Sequence, residues 1–460
     1  MSLKTPTLIT ALCCGACVPP LEDPRLNGLW KSKGYGMVVA IDGKTAESYG
    51  VAGATCVSEG KEPLGSLLDG LAATPTEDGQ RIALSLEGED HKIIFDRIPD
   101  LPAVCDTPRP NTPTGNFEAF VDYFATHYAF FDIYGVDWDD QVATVRPRIN
   151  DSMSDAQLFE VLSTMIAPLK DGHVDLQGSV DGQDRVFEPN PGALYAHLSA
   201  TANANGVDPE EVIDTFQTEF WIESVAGDLL GGNGTFAGQK FVQYGLPRPD
   251  VGYIGLVTMG GYANGEEGAL QEDIAAIHDI LDSALAQFRD AKVTAVILDV
   301  SLNFGGYDAV SLAVAERFAS GSTYAFSKYA ADSPDQSIGR FSITPSDRSR
   351  FTGPLYLVTS NMTVSAGEIL AMALRALPQT VHVGMPTRGA LSDVLTKQLP
   401  NGWEISLSNE VYQDHLGAKW EGRGIRPQDR IAVFPPEDPI AGHKAAITAV
   451  LDQLSTFPEP

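Results

Sequence analysis

The chain has 460 residues, 43% of them hydrophobic and 20% charged, the balance of an ordinary folded protein with room for two or three domains. Its formal net charge of -30 argues against holding nucleic-acid phosphates or an anionic membrane surface by bulk electrostatics, and fits a salty or extracellular habitat. Outside the first twenty or so residues, nothing is apolar long enough to span a bilayer, so no integral membrane span is expected.

Residues 1–19 carry one cation, Lys4, ahead of the small and mostly apolar stretch 7–16, and read as a signal peptide or lipoprotein leader. Cys13, Cys14 and Cys17 all lie there. Cys17 follows Gly15-Ala16 and suits a lipid anchor, although Cys14 stands where a bacterial lipobox carries leucine. Cleavage would leave Cys56 and Cys105, an even pair that an oxidising compartment could join; two free buried thiols are the other reading. The expected location is exported: periplasmic, extracellular or anchored at the cell envelope.

Residues 25–105 form a small β-rich domain on this reading, with short strand patterns at 28–31, 36–42, 81–86 and 92–95 between Gly, Asp and Glu turns. The proline-bearing stretch 106–115 reads as a linker. A helical segment, 116–177, follows. Phe117, Phe120, Val121, Phe124 and Tyr128 share one helical face, and a second helix starts at Ser154 with Gln157 completing a capping box. Gly172 is expected to stop that helix, leaving His173 on a loop. Residues 178–250 form an insert with turns and one helix near 209–220.

From 251 to 436 the pattern alternates. A strand at 253–257 precedes a helix with Ile274, Ile277, Leu281, Leu285 and Phe288 inward. A buried-type strand at 294–300, a helix at 310–318 and the strand-loop-helix unit 353–376 complete an α/β core with right-handed crossovers. A C-terminal helix and tail occupy 437–460.

Three signals carry chemistry. Ser365 falls at a helix start, where unpaired N–H groups and partial positive charge suit an oxyanion, with Glu368 placed as its capping-box partner. Ser301-Leu-Asn-Phe-Gly-Gly306 directly follows the 294–300 strand, so the Gly306 and Ala366 N–H groups are candidates for an oxyanion hole. His173 sits in a glycine-punctuated Asp-Gly-His-Val loop and is the candidate base. The other histidines, His91, His127, His197, His278, His382, His415 and His443, read as structural or surface residues. Taken singly, a plain N-cap serine, an ordinary tight turn and a satisfied surface or core histidine are the readier explanations of the three signals.

In order, Asp171-Gly-His-Val, the 297–306 segment, Thr363-Val-Ser-Ala-Gly-Glu-Ile369, Val383-Gly-Met-Pro-Thr-Arg-Gly389 and Glu421-Gly-Arg-Gly-Ile-Arg-Pro427 resemble the C-terminal processing peptidase family, which includes the tail-specific proteases and the tricorn core. The resemblance covers roughly residues 115–436. It implies a ClpP/crotonase-like α/β core and a serine peptidase acting on a peptide or protein substrate, with no cofactor and no metal. Ala390 stands where the processing branch carries a catalytic lysine, and Arg388 cannot replace it because a guanidinium stays protonated. The tricorn-like branch places a histidine where His173 lies. It supports that histidine through a glutamate, here Glu421, and a serine, here replaced by Gly172. Glu421 is then expected to reach His173 directly, to reach it through water, or only to brace the loop. The insert shows no PDZ pattern, so this route implies no reading of a free C-terminus. A non-catalytic binding protein on the same fold, as in the interphotoreceptor retinoid-binding modules, and an esterase using the same site are the alternatives.

Overall fold

The computed structural model describes residues 23–68, 70–86, 92–265, 270–335 and 338–455, so the 1–19 leader and His91 lie outside the described residues. Strands Gly28–Ser32, Met37–Asp42, Thr45–Ala52, Thr55–Pro63, Leu71–Pro75, Arg81–Leu86 and Ile93–Ile98 form an antiparallel seven-stranded sheet, with Gly28–Ser32 at its centre. Alternation puts Trp30, Val39, Ile41, Ile82 and Phe95 into one small core. Its far side packs Ala52 and Val57 against the Pro113–His127 helix.

That helix starts inside the stretch read as linker. Thr112 caps it by accepting the Gly115 N–H, and Pro113 at the first position lacks the donor a helix start would leave unpaired. Phe117, Phe120, Val121, Phe124 and Tyr128 are all buried, as their spacing requires. The Asp155–Ile166 helix carries the expected reciprocal bonds between Ser154 and Gln157. Its stop differs from expectation. A short turn over 167–169 tightens the end, and Lys170, not Gly172, takes the left-handed conformation, with φ 49°. Pro168 prevents continuation as a regular helix, so the reversal falls on the next free residue.

The second seven-stranded sheet runs Thr235–Ala237, Val242–Arg248, Val251–Leu256, Ala295–Asp299, Leu355–Thr359, Thr380–Gly384 and Asp429–Arg430. From Val251–Leu256 onward its neighbours are parallel, with the Leu270–Asp290, Asp308–Glu316 and Ala366–Leu374 helices as crossovers. Residues 235–248 therefore belong to the core sheet and not to the preceding insert. The insert also holds the Ala193–Asn205 helix, which the sequence reading passed over. Its Ala-rich run buries only Leu194 and Ala202 fully, so no apolar stripe marks it.

A four-stranded sheet completes the frame in the order Val394–Gln398, Glu404–Ser408, Asp175–Val180, Gln183–Phe187. It joins the strand after His173 to strands from the far end of the core. No described helix is long and apolar enough to cross a membrane.

Cys56 and Cys105 are joined, tying the Thr55–Pro63 strand to the turn just before the Pro113–His127 helix across a separation of 49 residues. Closing a loop of that length restricts the unfolded chain by an amount worth about 4 kcal/mol. Reduction, or the C56A/C105A pair, is expected to lower the first urea-unfolding midpoint by an equivalent of about 2–4 kcal/mol. Equal midpoints for oxidised and reduced protein would contradict this role.

Candidate active site

The Leu355–Thr359 strand ends at a loop, and Met362–Thr363 then pairs in parallel with Leu302–Asn303. Side chains fix this second, shorter pairing. Ser360 Oγ donates to the Ser301 carbonyl at 2.6 Å, Thr363 Oγ1 to the Val300 carbonyl at 2.7 Å, and Asn303 Nδ2 to the Leu256 carbonyl at 2.9 Å. Continuing the register sets Gly305 beside Ser365.

Ser365 itself has φ 55° and ψ −129°, a conformation that costs a side-chain-bearing residue about 1–3 kcal/mol. Its neighbours over-determine it. The Ser365 N–H donates to the Ala390 carbonyl at 3.0 Å, and its carbonyl accepts from the Glu368 and Ile369 N–H groups at 2.7 and 3.1 Å. The expected capping box does not form: Ser365 makes no side-chain cap bond, and Glu368 turns elsewhere. The hydroxyl is left half-buried at the site surface.

Gly305 has φ +84°, and a Cβ there would lie 2.7 Å from Ser365 Cβ and 3.2 Å from its Oγ. Only glycine allows the two chains this approach. Met259 clamps the adjoining turn, donating its N–H to the Gly305 carbonyl at 2.6 Å and accepting the Tyr307 N–H at 2.8 Å. That leaves the Gly306 N–H without a protein acceptor among the described residues, and the same holds for the Ala366 N–H at the helix start.

Residues 387–392 form a rail between the serine and the histidine loop. Glu368, fully buried, accepts from Thr387 Oγ1 at 2.5 Å and from the Gly389 and Ala390 N–H groups at 2.8 Å. Glu421, also buried, accepts from the Leu391 and Ser392 N–H groups at 3.0 and 3.1 Å. Thr387 Oγ1 in turn accepts the Ile425 N–H at 2.7 Å, tying the Thr-Arg-Gly and Gly-Ile-Arg-Pro motifs together. Burial pushes Glu368 up to about 7 against the pull of its three donors. Burial, then the charges of Asp171 and Glu368, push Glu421 well above the ordinary carboxylate range.

His173 approaches the rail from the other side. The Asp175–Val180 strand pairs Asp175 with Ser406, while Ser408 of the same partner strand pairs with Val394, just after the rail. The loop before Asp175 is thus carried to the rail's end. A Cβ on Gly172 would lie 3.1 Å from Ala390 Cβ, the residue whose carbonyl holds Ser365. Buried Asp171 fixes the loop, accepting the His173 N–H at 2.9 Å, Ser408 Oγ at 3.1 Å and Tyr128 OH at 2.9 Å. Burial holds the imidazole below its ordinary 6.5, assisted by Arg388 and opposed by Asp171, Asp393 and the Ser392 carbonyl. No hydrogen bond joins the ring to Ser365 Oγ, and buried Nδ1 has no hydrogen-bond partner among the described residues.

Ser365, the His173 loop and Glu421 therefore meet one short segment, with Ala366 next to the serine in the chain and Gly306 next to the Gly305 that packs against it. Glu421 bonds to the rail and not to the imidazole, and the Cβ direction of Gly172 faces Arg388 and Ala390. Asp171, Tyr128, Ser408 and the real role of Glu368 were missed from sequence. The first and last lie inside the quoted motifs, but their partners are remote in the chain. The remaining buried histidines are engaged elsewhere: His127 with Asp332 at 2.7 Å, His382 with Thr359 at 2.7 Å and His443 with Asp299 at 2.6 Å.

Comparison with known families matches residues 250–431 to peptidase family S41 and residues 109–167 to the tricorn protease C1 domain. No curated protein is similar enough to count as a match. Among solved structures, a protein from Parabacteroides merdae assigned as a peptidase is 25% identical, with 75% of this chain and 97% of that chain aligned at a TM-score of 0.58. Mature CPAF in complex with lactacystin aligns over 75% of this chain and 98% of its own, at 13% identity and a TM-score of 0.51, a likeness of fold.

The Glu368 carboxylate can be tested without any assay of activity. In Glu368→Gln the amide offers one acceptor oxygen in place of two, leaving buried donors unmatched at a cost of about 2–4 kcal/mol. The expected results are a lowered thermal midpoint and faster hydrogen exchange at the Gly389 and Ala390 amides. Unchanged exchange there would show that the rail does not depend on this side chain.

Proposed function

We propose, from the match of residues 250–431 to peptidase family S41, that this serine-type peptidase uses Ser365 as its nucleophile and His173 as its general base. The observation that carries this reading is the strained Ser365, held at a helix start close to the Gly306 and Ala366 N–H groups, which have no protein acceptor among the described residues.

In the proposed reaction Ser365 Oγ attacks the peptide carbonyl while His173 takes its proton. The carbonyl oxygen becomes an oxyanion held by the Gly306 and Ala366 N–H groups. His173 then returns the proton to the leaving amine, and water releases the acyl group by the same steps. The ring and hydroxyl must close into a hydrogen bond when substrate binds, as catalytic contacts that are open in a ligand-free enzyme commonly do. Glu421 acts as a positioning residue through Leu391 and Ser392, whose carbonyl faces the imidazole. Ala390 leaves no lysine to compete as base.

The substrate in this reading is a peptide or protein, and the core is ClpP/crotonase-like, with the short 302–303/362–363 pairing layered beyond the main sheet. Export is part of the same proposal: the Cys56–Cys105 bond suits an oxidising compartment.

A fluorophosphonate probe tests the assignment on intact protein. Labelling is expected at Ser365, absent in Ser365→Ala, and slowed by about 10³-fold or more in His173→Ala. The pH dependence follows from the buried imidazole. It accepts a proton only when neutral, and its pKa is held below 6.5, so labelling should stay high at neutral pH and fall as pH drops through that lowered value. Undiminished labelling in His173→Ala, or an acid limb centred above pH 7, would remove His173 from the role.

A further inference from the structure

Arg388 is a cation that makes no ion pair among the described residues. Arg109, Arg146 and Arg317 each pair with a carboxylate, at Asp122, Glu118 and Asp282. The Arg388 guanidinium pairs with none among the described residues. Its polar contacts are Nε to the Asn361 carbonyl at 3.5 Å and Nη2 to Met362 Sδ at 3.9 Å, both long. Glu368 attracts it electrostatically, but that carboxylate already receives three donors from the rail. Partial burial pulls the guanidinium pKa down against the more distant pull of Glu368, Tyr195 and Glu188, so it has lost water without gaining an ion pair among the described residues.

Its location is the site itself. The Arg388 N–H donates to the Thr363 carbonyl at 2.9 Å, two residues before Ser365, and the side chain runs back along Asn361 and Met362. Two glycines make room for it. A Cβ on Gly172 would lie 3.0 Å from Arg388 Cδ, and one on Gly192 would lie 2.6 Å from Nη2. The same charge bears on the His173 imidazole.

We propose that Arg388 binds a carboxylate of the substrate beside the scissile bond, either a chain-terminal α-carboxylate or an Asp or Glu side chain. A guanidinium fork matches a carboxylate with two parallel charge-assisted bonds, which a backbone carbonyl and a thioether do not supply. The net charge of -30 repels anions at long range, so an anionic group gains only from a cation it can touch, within a Debye length of about 8 Å. Arg388 then selects substrate and takes no part in the proton transfers.

The proposal rests on the Ser365/His173 reading for its biological meaning, but its test does not need turnover. Matched peptides are titrated into Ser365→Ala protein by calorimetry: one pair ends in a free carboxylate or an amide, and a second carries Glu or Gln internally. One carboxylate form is expected to bind about 10-fold or more tighter than its neutral match, and which pair shows it identifies the source. Adding Arg388→Met should bring that ratio close to one, and Arg388→Lys, a charge without the fork, should keep part of it. Equal affinities within both pairs would overturn the proposal, as would a preference that survives Arg388→Met in protein with an unchanged thermal midpoint. If Arg388→Met does not fold, the pairs in Ser365→Ala protein and the Arg388→Lys ratio decide alone. Fluorophosphonate labelling of wild-type protein runs alongside, so a failed nucleophile assignment is seen separately from a failed carboxylate site.

Discussion

Two buried carboxylates, Glu368 and Glu421, hold four successive backbone N–H groups, Gly389 through Ser392, and the site depends on that grip. The segment has no regular secondary structure of its own to satisfy those donors. Left unpaired in the interior, each would cost about 1–3 kcal/mol. Accepting them on carboxylates fixes the segment in one conformation, and the Ala390 carbonyl can then hold Ser365 in a backbone geometry it would otherwise leave. The glycines of the two flanking motifs serve the same contact. A Cβ on Gly424 would lie 2.0 Å from the Thr387 carbonyl oxygen, and one on Gly389 would lie 2.6 Å from the Gly424 nitrogen.

The histidine loop reaches this rail by sheet pairing. Asp175–Val180 joins Glu404–Ser408, which joins Val394–Gln398, so strands from distant parts of the chain share one register. Asp171 then locks the loop with three donors from a helix end, a strand and the loop itself. The N-terminal sheet also reaches this region. Tyr35 donates to Glu410 at 2.5 Å, and Glu410 lies 3.2 Å from buried Lys328, which also pairs with Asp393. The N-terminal sheet is therefore bonded to a charge cluster whose Asp393 bears on His173.

Asp171, Glu368 and Glu421 lie close enough together for their charges to act on one another, in a chain already rich in negative charge. Burial costs each of them, and two or three donors offset that cost only in part, so all three are held above the ordinary carboxylate range. His173 gains in the opposite sense. Burial and Arg388 favour its neutral form, the one able to accept a proton. Acidic groups near the site thus act as acceptors that shape the backbone, while the nearby cation, Arg388, makes no ion pair among the described residues.

How much of this was legible follows from the range of each interaction. The strand and helix faces around 253–376, the Ser154/Gln157 box and the positions of Ser365, Gly306 and His173 all rest on residues within a few places of one another, and hydrophobic spacing and short motifs report such neighbours. The same local logic misassigned Glu368, because Ser-x-x-Glu spells a capping box whether or not a distant loop offers better donors. It also placed the helix stop at Gly172, when Pro168 had already forced the turn onto Lys170. What only the tertiary structure decided is which backbone donors each buried carboxylate meets, how Glu421 serves the rail and not the ring, and that Arg388 makes no ion pair among the described residues. These are contacts between segments brought together by sheet register, and a register is a property of two strands that neither strand's sequence contains alone.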